Sequence, residues 1–192
     1  TIRRYVETEC PTTRVRQIME SDTGHDPALW SGLAELGVPG LHVPTNHGGA
    51  GLELLDLALA AEELGGAATP GPFLACAMAT AALLASGNAE VEKRWLPAIA
   101  RGSAIATVAL GEAGGEWDAA AMKTRASAGA LTGQKPLVPY AEVADALLVA
   151  AQDHEGPGLW LVEKGARGLG ITSLKGTDMT RRLAMVELTG TP

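Results

Sequence analysis

The stretch Leu33-Ala-Glu-Leu-Gly-Val-Pro-Gly-Leu-His-Val-Pro-Thr-Asn-His-Gly-Gly-Ala-Gly-Leu52 carries five glycines and two prolines. It cannot continue a helix, because each proline removes a backbone donor and each glycine is costly to order. The segment has to close one helix, turn, and open another. Upstream, Asp26 is placed to cap a helix whose first position is Pro27. Leu29, Trp30, Leu33 and Leu36 form its apolar stripe, and Gly37 marks its end. Downstream, a second helix is expected to begin after Gly51, to put Leu54, Leu57, Ala58, Ala61 and Leu64 on one face, and to stop at Gly65-Gly66. Glu53 and Asp56 suit its positive end. Gly48-Gly49-Ala50-Gly51 admits two readings: a phosphate cradle of backbone N–H groups, or a tight turn that glycine adopts without strain. Taken alone, the turn carries more weight.

Residues 64–89 include no charge, but glycines and prolines at the start leave an apolar run of 73–85. That is shorter than the roughly 20 residues a bilayer span needs, so the run reads as a buried helix over 72–86 ended by Gly87. Asn88 then caps a fourth helix in which Val91, Trp95 and Ile99 recur at fourfold spacing, and Pro97 predicts a kink or an early end.

Past Gly102 the period changes. Residues 105–110, 144–151, 159–162 and 183–188 read as strands, and 122–127 alternates around Lys123 and Arg125. Gly129, Gly133 and the segment 153–158 read as turns. Helices first and strands second predict an α+β chain. An all-α helical domain over 1–102 precedes a small antiparallel β-barrel or sandwich domain over 103–192.

Composition narrows the function classes. The chain has 192 residues, 46% of them hydrophobic and 19% charged, enough for a real core. Its net charge is −7, and the basic residues cluster only in pairs such as Arg3-Arg4 and Arg181-Arg182, which argues against nucleic acid as a partner. Cys10 and Cys76 fit no disulfide framework, and the first residues hold no apolar run of the secretory kind, so the expected setting is a reducing cytoplasm with no membrane. No Gly-x-Ser-x-Gly elbow, Walker loop or Gly-x-Gly-x-x-Gly turn occurs. His25, His42, His47 and His154 are scattered, and no metal site is expected. Glu62 and Glu63, adjacent on a helix, point to different faces and read as polar contacts, not a shared acid/base pair.

An ordered series remains: Leu33-Ala-Glu-Leu-Gly37, Val43-Pro-x-x-x-Gly-Gly-Ala-Gly51, Glu62-Glu-Leu-Gly65, Trp95-Leu-Pro-x-Ile-Ala-x-Gly102, Glu112, Gly133-x-Lys135 and Ala144-Asp145. Spanning essentially the whole chain, it resembles the N-terminal helical and middle β domains of acyl-CoA dehydrogenases, especially the divergent kind of actinobacterial lipid and sterol degradation. The resemblance implies FAD as cofactor, an acyl-CoA thioester as substrate, and an electron-transfer flavoprotein or similar acceptor. It also implies a homodimer, a homotetramer, or a heterotetramer with a second acyl-CoA dehydrogenase subunit. In that chemistry a carboxylate removes the α-proton while the β-hydrogen leaves as hydride to flavin N5, giving a trans-2-enoyl thioester. The family's catalytic glutamate belongs to a C-terminal helical bundle that would follow Pro192, so no residue of this sequence is expected to be the base.

By the same resemblance, the flavin-contacting residues are Leu110, Gly111, Leu137, Val138 and Pro139, and Trp117 faces the substrate. Both segments depart from the family pattern. Thr-Glu-Pro-x-x-Gly-Ser-Asp is here Gly111-Glu-Ala-Gly-Gly-Glu-Trp-Asp118, and Trp-Ile-Thr is Leu137-Val-Pro139. Glu112 and Asp118 match, but two hydroxyl groups are replaced at Gly111 and Trp117, and Pro139 offers neither hydroxyl nor N–H. Flavin contacts are therefore expected from the backbone of Leu110, Gly111 and Val138. Two alternatives to a FAD-dependent acyl-CoA dehydrogenase stay open: a non-catalytic partner subunit of a hetero-oligomeric dehydrogenase, and a flavin-dependent monooxygenase on the same fold. In all of them the 33–52 stretch is an architectural joint that aligns two helices walling an acyl-CoA cleft.

Overall fold

A computed structural model describes residues 1–115 and 118–192. Six helices come first: α1 (Ile2–Glu9), α2 (Thr12–Glu20), α3 (Pro27–Glu35), α4 (Leu54–Gly66), α5 (Phe73–Ser86) and α6 (Ala89–Ala100). Seven strands follow: β1 (Ala106–Ala109), β2 (Arg125–Ser127), β3 (Ala130–Pro139), β4 (Ala146–Gln152), β5 (Pro157–Glu163), β6 (Leu169–Leu174) and β7 (Leu183–Thr191). The described residues form two compact units, Thr1–Ile105 with Asp178–Arg181, and Ala106–Thr177 with Arg182–Pro192.

In the first unit the caps act as the sequence predicts. The Asp26 carboxylate accepts from the N–H groups of Ala28 and Leu29 at 2.9 and 3.1 Å, Pro27 opens α3, and Gly37 turns the chain out of it at φ +78°. Asn88 accepts from Val91 N at 3.3 Å at the start of α6, and Gly87 ends α5 at φ +62°. Three details differ. Helices α1 and α2 fall within the helical span expected over 1–102 but have no individual counterpart among the helices delimited from the sequence. Each buries only one or two apolar side chains, Val6 in α1 and Val15 with Ile18 in α2. Arg3 of α1 grips the Glu63 carboxylate of α4 through two hydrogen bonds of 2.7 and 2.6 Å, which confirms the polar-contact reading of that glutamate.

The second difference is the rotation of α4. Ala60 and Leu64 are its buried residues, while Leu54 and Leu55 are each 70% exposed and Leu59 is also exposed. The third concerns Pro97, which does not end α6. The helix runs to Ala100, because Leu96 and Ile99 are fully buried on either side of the proline and the loss is confined to one missing donor.

The second unit is a curled seven-stranded sheet of order β1-β4-β2-β3-β7-β6, with β5 paired to β4. It is mixed, not antiparallel as predicted: β1 runs parallel to β4 from Ala106↔Ala146 to Ala109↔Val149, and β2 meets β4 in parallel at Arg125↔Gln152. The chain between β1 and β4 is long enough for the crossover that a parallel pair requires. Residues 146–151 of β4 are buried throughout, as expected of a central strand with two covered faces. Gly133, read as a turn, lies inside β3. Its φ is +153°, and an added Cβ would come within 2.8 Å of the Thr124 backbone, so glycine is there for close approach. The core centres on Leu131, Val138, Leu147, Val149, Val186 and Leu188.

Candidate functional site

Backbone bookkeeping decides the role of the glycine loop. His47 N donates to Pro44 O, Gly48 N to Thr45 O, Gly49 N to Pro44 O, Ala50 N to Gly40 O, Gly51 N to Val43 O and Leu52 N to Leu41 O, over 2.8–3.2 Å. Every amide from 47 to 52 is therefore spent inside the loop, leaving none aimed at an anion. Val38 and Val43 are buried beneath it, and a Cβ on Gly49 would stand 2.0 Å from Val43 O. The segment is a joint, not a cradle.

The candidate site of the second unit is built from the residues after β1 and the far half of β3. β3 pairs with β7 at Lys135↔Val186 and next at Val138↔Ala184, so β3 carries one extra residue over this step. That is a β-bulge, a feature that bends a strand and re-aims side chains. Leu137 sits at its crest with φ +58° and 61% exposure. Leucine pays roughly 1–2 kcal/mol for that left-handed backbone. Val138 points inward and is buried in the core, leaving only its backbone for a ligand. Pro139 is paired with Leu183, and its carbonyl accepts from Thr107 Oγ1 at 2.6 Å.

Opposite the bulge, Gly111 lies beside Pro136, and the Leu110 carbonyl accepts from Lys135 Nζ. A Cβ built on Gly111 would be 3.4 Å from Pro136 O, and its φ is not positive, so neither space nor backbone demands glycine there. Two residues absent from the sequence-predicted site hold this arrangement. Lys135 has no exposed surface and its ammonium lies 2.6 Å from Glu112 Oε1 and 3.4 Å from Leu110 O. The same Glu112 oxygen accepts from Thr124 N at 3.3 Å. Burial pushes the Glu112 carboxyl up, but the Lys135 ammonium and the Thr124 amide more than offset this and hold it below the ordinary carboxylate range. Burial in turn presses the Lys135 ammonium down, against the pull of Glu112. The sequence signal for the pair was available: Leu131, Gly133 and Lys135 share the inward phase of β3, which makes Lys135 a charge at a core position.

Leu110 and Gly111 thus lie against Lys135 and Pro136 of β3, the residues that precede Leu137, Val138 and Pro139 in the chain. Trp117 lies outside the described residues. The histidines stay apart: His42 Nδ1 is 3.1 Å from Leu52 O, His47 is 3.7 Å from the Glu92 carboxylate, and His154 is exposed beside Glu155. Among the described residues no group of three His, Cys, Asp or Glu side chains could hold a metal ion, and no helix is long and apolar enough to cross a membrane.

Comparison with known proteins places the chain in a family. Residues 1–103 match the sequence model of the acyl-CoA dehydrogenase N-terminal domain. Acyl-CoA dehydrogenase IpdE2 of Mycolicibacterium smegmatis is 42% identical over 109 residues, covering 56% of this chain and 34% of that protein. A solved steroid acyl-CoA dehydrogenase, the Tcur3481-Tcur3483 G363A variant, superposes with a TM-score of 0.91 at 32% identity, covering 100% of this chain and 53% of that one. The ChsE4-ChsE5 complex from Mycobacterium tuberculosis gives 0.89 at 28%, covering 99% and 52%. An acyl-CoA dehydrogenase from Bacillus anthracis complexed with FAD gives 0.81 at 27%, covering 99% and 35%. The chain belongs to the acyl-CoA dehydrogenase family. It spans about half or less of the length of the curated relatives it matches.

Proposed function

We propose that this chain supplies the N-terminal helical domain (1–102) and middle β domain (103–192) of a FAD-dependent acyl-CoA dehydrogenase acting on a fatty-acyl or sterol side-chain CoA thioester in the cytoplasm. The observation that carries this reading is the approach of Leu110 O to Lys135 and of Gly111 to Pro136, on the β3 bulge whose next residue is the left-handed, exposed Leu137, in a chain of the acyl-CoA dehydrogenase family. Strained backbone at an exposed crest is costly and persists where surrounding structure enforces it, often at ligand sites. FAD would supply hydride acceptance as the thioester loses its α- and β-hydrogens. The chain's own part is positional. Leu110, Gly111, Leu137 and Val138 would hold the isoalloxazine through backbone groups and the exposed Leu137 side chain, Pro139 would shape the strand without donating, and Trp117 would border the substrate. Electrons would pass to an electron-transfer flavoprotein or similar acceptor, and the working assembly would be a homo-oligomer or a heterotetramer.

A second reading has its own observation: nothing in the backbone requires glycine at 111, yet the hydroxyl of the family pattern is missing there. On this reading the chain is a non-catalytic partner subunit in a hetero-oligomeric dehydrogenase; the ChsE4-ChsE5 assembly is one to which it is similar. A visible spectrum of the purified chain, alone and after co-expression with a neighbouring dehydrogenase subunit, separates the two. A yellow chain whose flavin is bleached by acyl-CoA establishes the first. A chain colourless alone and yellow only in the complex establishes the second, and persistent absence of flavin in both preparations overturns the FAD reading.

A further inference from the structure

We propose that the buried Glu112–Lys135 pair is a positioning clamp that fixes the Leu110-Gly111 backbone against the β3 bulge, and that FAD binding at this loop depends on the clamp. The second half of the proposal rests on the flavin reading above; the first half does not.

The argument starts from where the ammonium goes. Lys135 is on an inward-facing strand position with no solvent-exposed surface, and its Nζ reaches a carboxylate and a main-chain carbonyl of the segment that follows β1. A lysine buried merely to fill space would be replaced at little cost by methionine, since buried ion pairs rarely outperform apolar residues of the same volume in stability. This pair does something an apolar couple cannot. Through Leu110 O, Glu112 Oε1 and Thr124 N it ties two separate backbone segments, 110–112 and the one at Thr124, to β3. The tie falls one residue before the bulge, where the β3–β7 register shifts, and Gly111 packs beside Pro136 just beyond it. Leu110 and Gly111 leave β1 after its last paired residue, Ala109, so ladder hydrogen bonds no longer hold them. The clamp stands in for the ladder at the point where the ladder stops. Neither side chain is exposed enough to meet a ligand, so both act through the backbone they position.

The test separates positioning from bulk stability with the double variant Lys135→Met/Glu112→Leu, which keeps volume and removes the charges. Thermal unfolding and amide hydrogen exchange are measured on the chain as it stands, with FAD titrated in parallel. The expected result is a melting temperature near that of the parent, exchange at Leu110, Gly111 and Leu137 faster by about tenfold or more, unchanged exchange in 146–151, and FAD affinity weaker by a similar factor. Parental exchange at those three amides in a folded variant would overturn the clamp. Should the double variant fail to fold, Glu112→Gln is read by the same amides with the same two outcomes. If the parent chain takes up no FAD alone, the titration is run on the co-expressed complex; absence of flavin there sinks the dependence and the flavin reading together, while the exchange result still decides the clamp.

Discussion

The Trp30 indole N–H donates to the carbonyl of Gly102 at 2.9 Å, joining positions 72 residues apart. It fastens the end of the helical section to α3 and gives a buried indole the partner it needs. Gly102 is itself at φ +68°, with Ala34 Cβ only 2.5 Å from where a Cβ would stand. Trp30→Phe keeps an aromatic ring but removes the pyrrole ring with its donor, leaving the carbonyl unpaired and a small cavity beside it. We expect a loss of about 1–3 kcal/mol in urea unfolding, and a change within error would show the bond to be idle.

Two neighbouring glycines of the joint should respond differently. Gly48 is in open space at φ +83°, so Gly48→Ala meets only backbone strain, about 1–2 kcal/mol. Gly49→Ala would drive a methyl to 2.0 Å from Val43 O, a main-chain atom that cannot swing aside. A loss of about 3 kcal/mol or more, or failure to fold, is expected there. Equal melting temperatures for the two variants would contradict the geometry.

Acid should act through Glu112. Its folded-state pKa lies below the ordinary 4.5, so its contribution to stability is complete above that value and is lost as pH falls through the lower, folded one. Glu112→Gln removes the contribution at every pH. Melting temperatures followed from about pH 5 to 3 should therefore fall more steeply for the parent than for the variant. Parallel curves would mean that the carboxyl titrates as it does in the unfolded chain.

The leucines on the outer face of α4 should be nearly free to change. Leu54→Glu with Leu55→Glu places acids at the positive end of a helix where both side chains face solvent. Stability is expected to stay within about 0.5 kcal/mol per site, and self-association in sedimentation to decrease. A large destabilisation would show that this face is covered.

Local chemistry made much of the helical unit legible. Asp26, Pro27 and Gly37 bracket α3, and Asn88 and Gly87 mark the α5–α6 corner, because caps and turns satisfy their hydrogen bonds within a few residues. Rotation of α4 was not legible: leucines at 54, 55, 57, 59 and 64 are spread around the helix, and only tertiary packing selects Ala60 and Leu64 for burial. Nor was the sheet. Whether β1 lies parallel or antiparallel to β4 depends on a route through more than thirty intervening residues, and the need for glycine at 133 comes from Thr124 on another segment. At the candidate site the resemblance picked out residues 110, 111 and 137–139. Glu112 and Lys135 are both in the series that carries the resemblance, but it assigns them no pairing, since they are distant in sequence and meet only when β3 is in place.

The step at Leu137 has a consequence for chain length. Residues alternate inward and outward along β3, and the added residue lets Lys135 and Val138 both face the core although an odd number of steps separates them. Remove Leu137 and the alternation closes up, with Val138 still inward, its partner Ala184 still opposite, and no left-handed leucine to accommodate. The sheet is arithmetically complete without that residue. What a deletion there would erase is the outward bump, so a length change at position 137 could separate what the fold requires from what a ligand would touch.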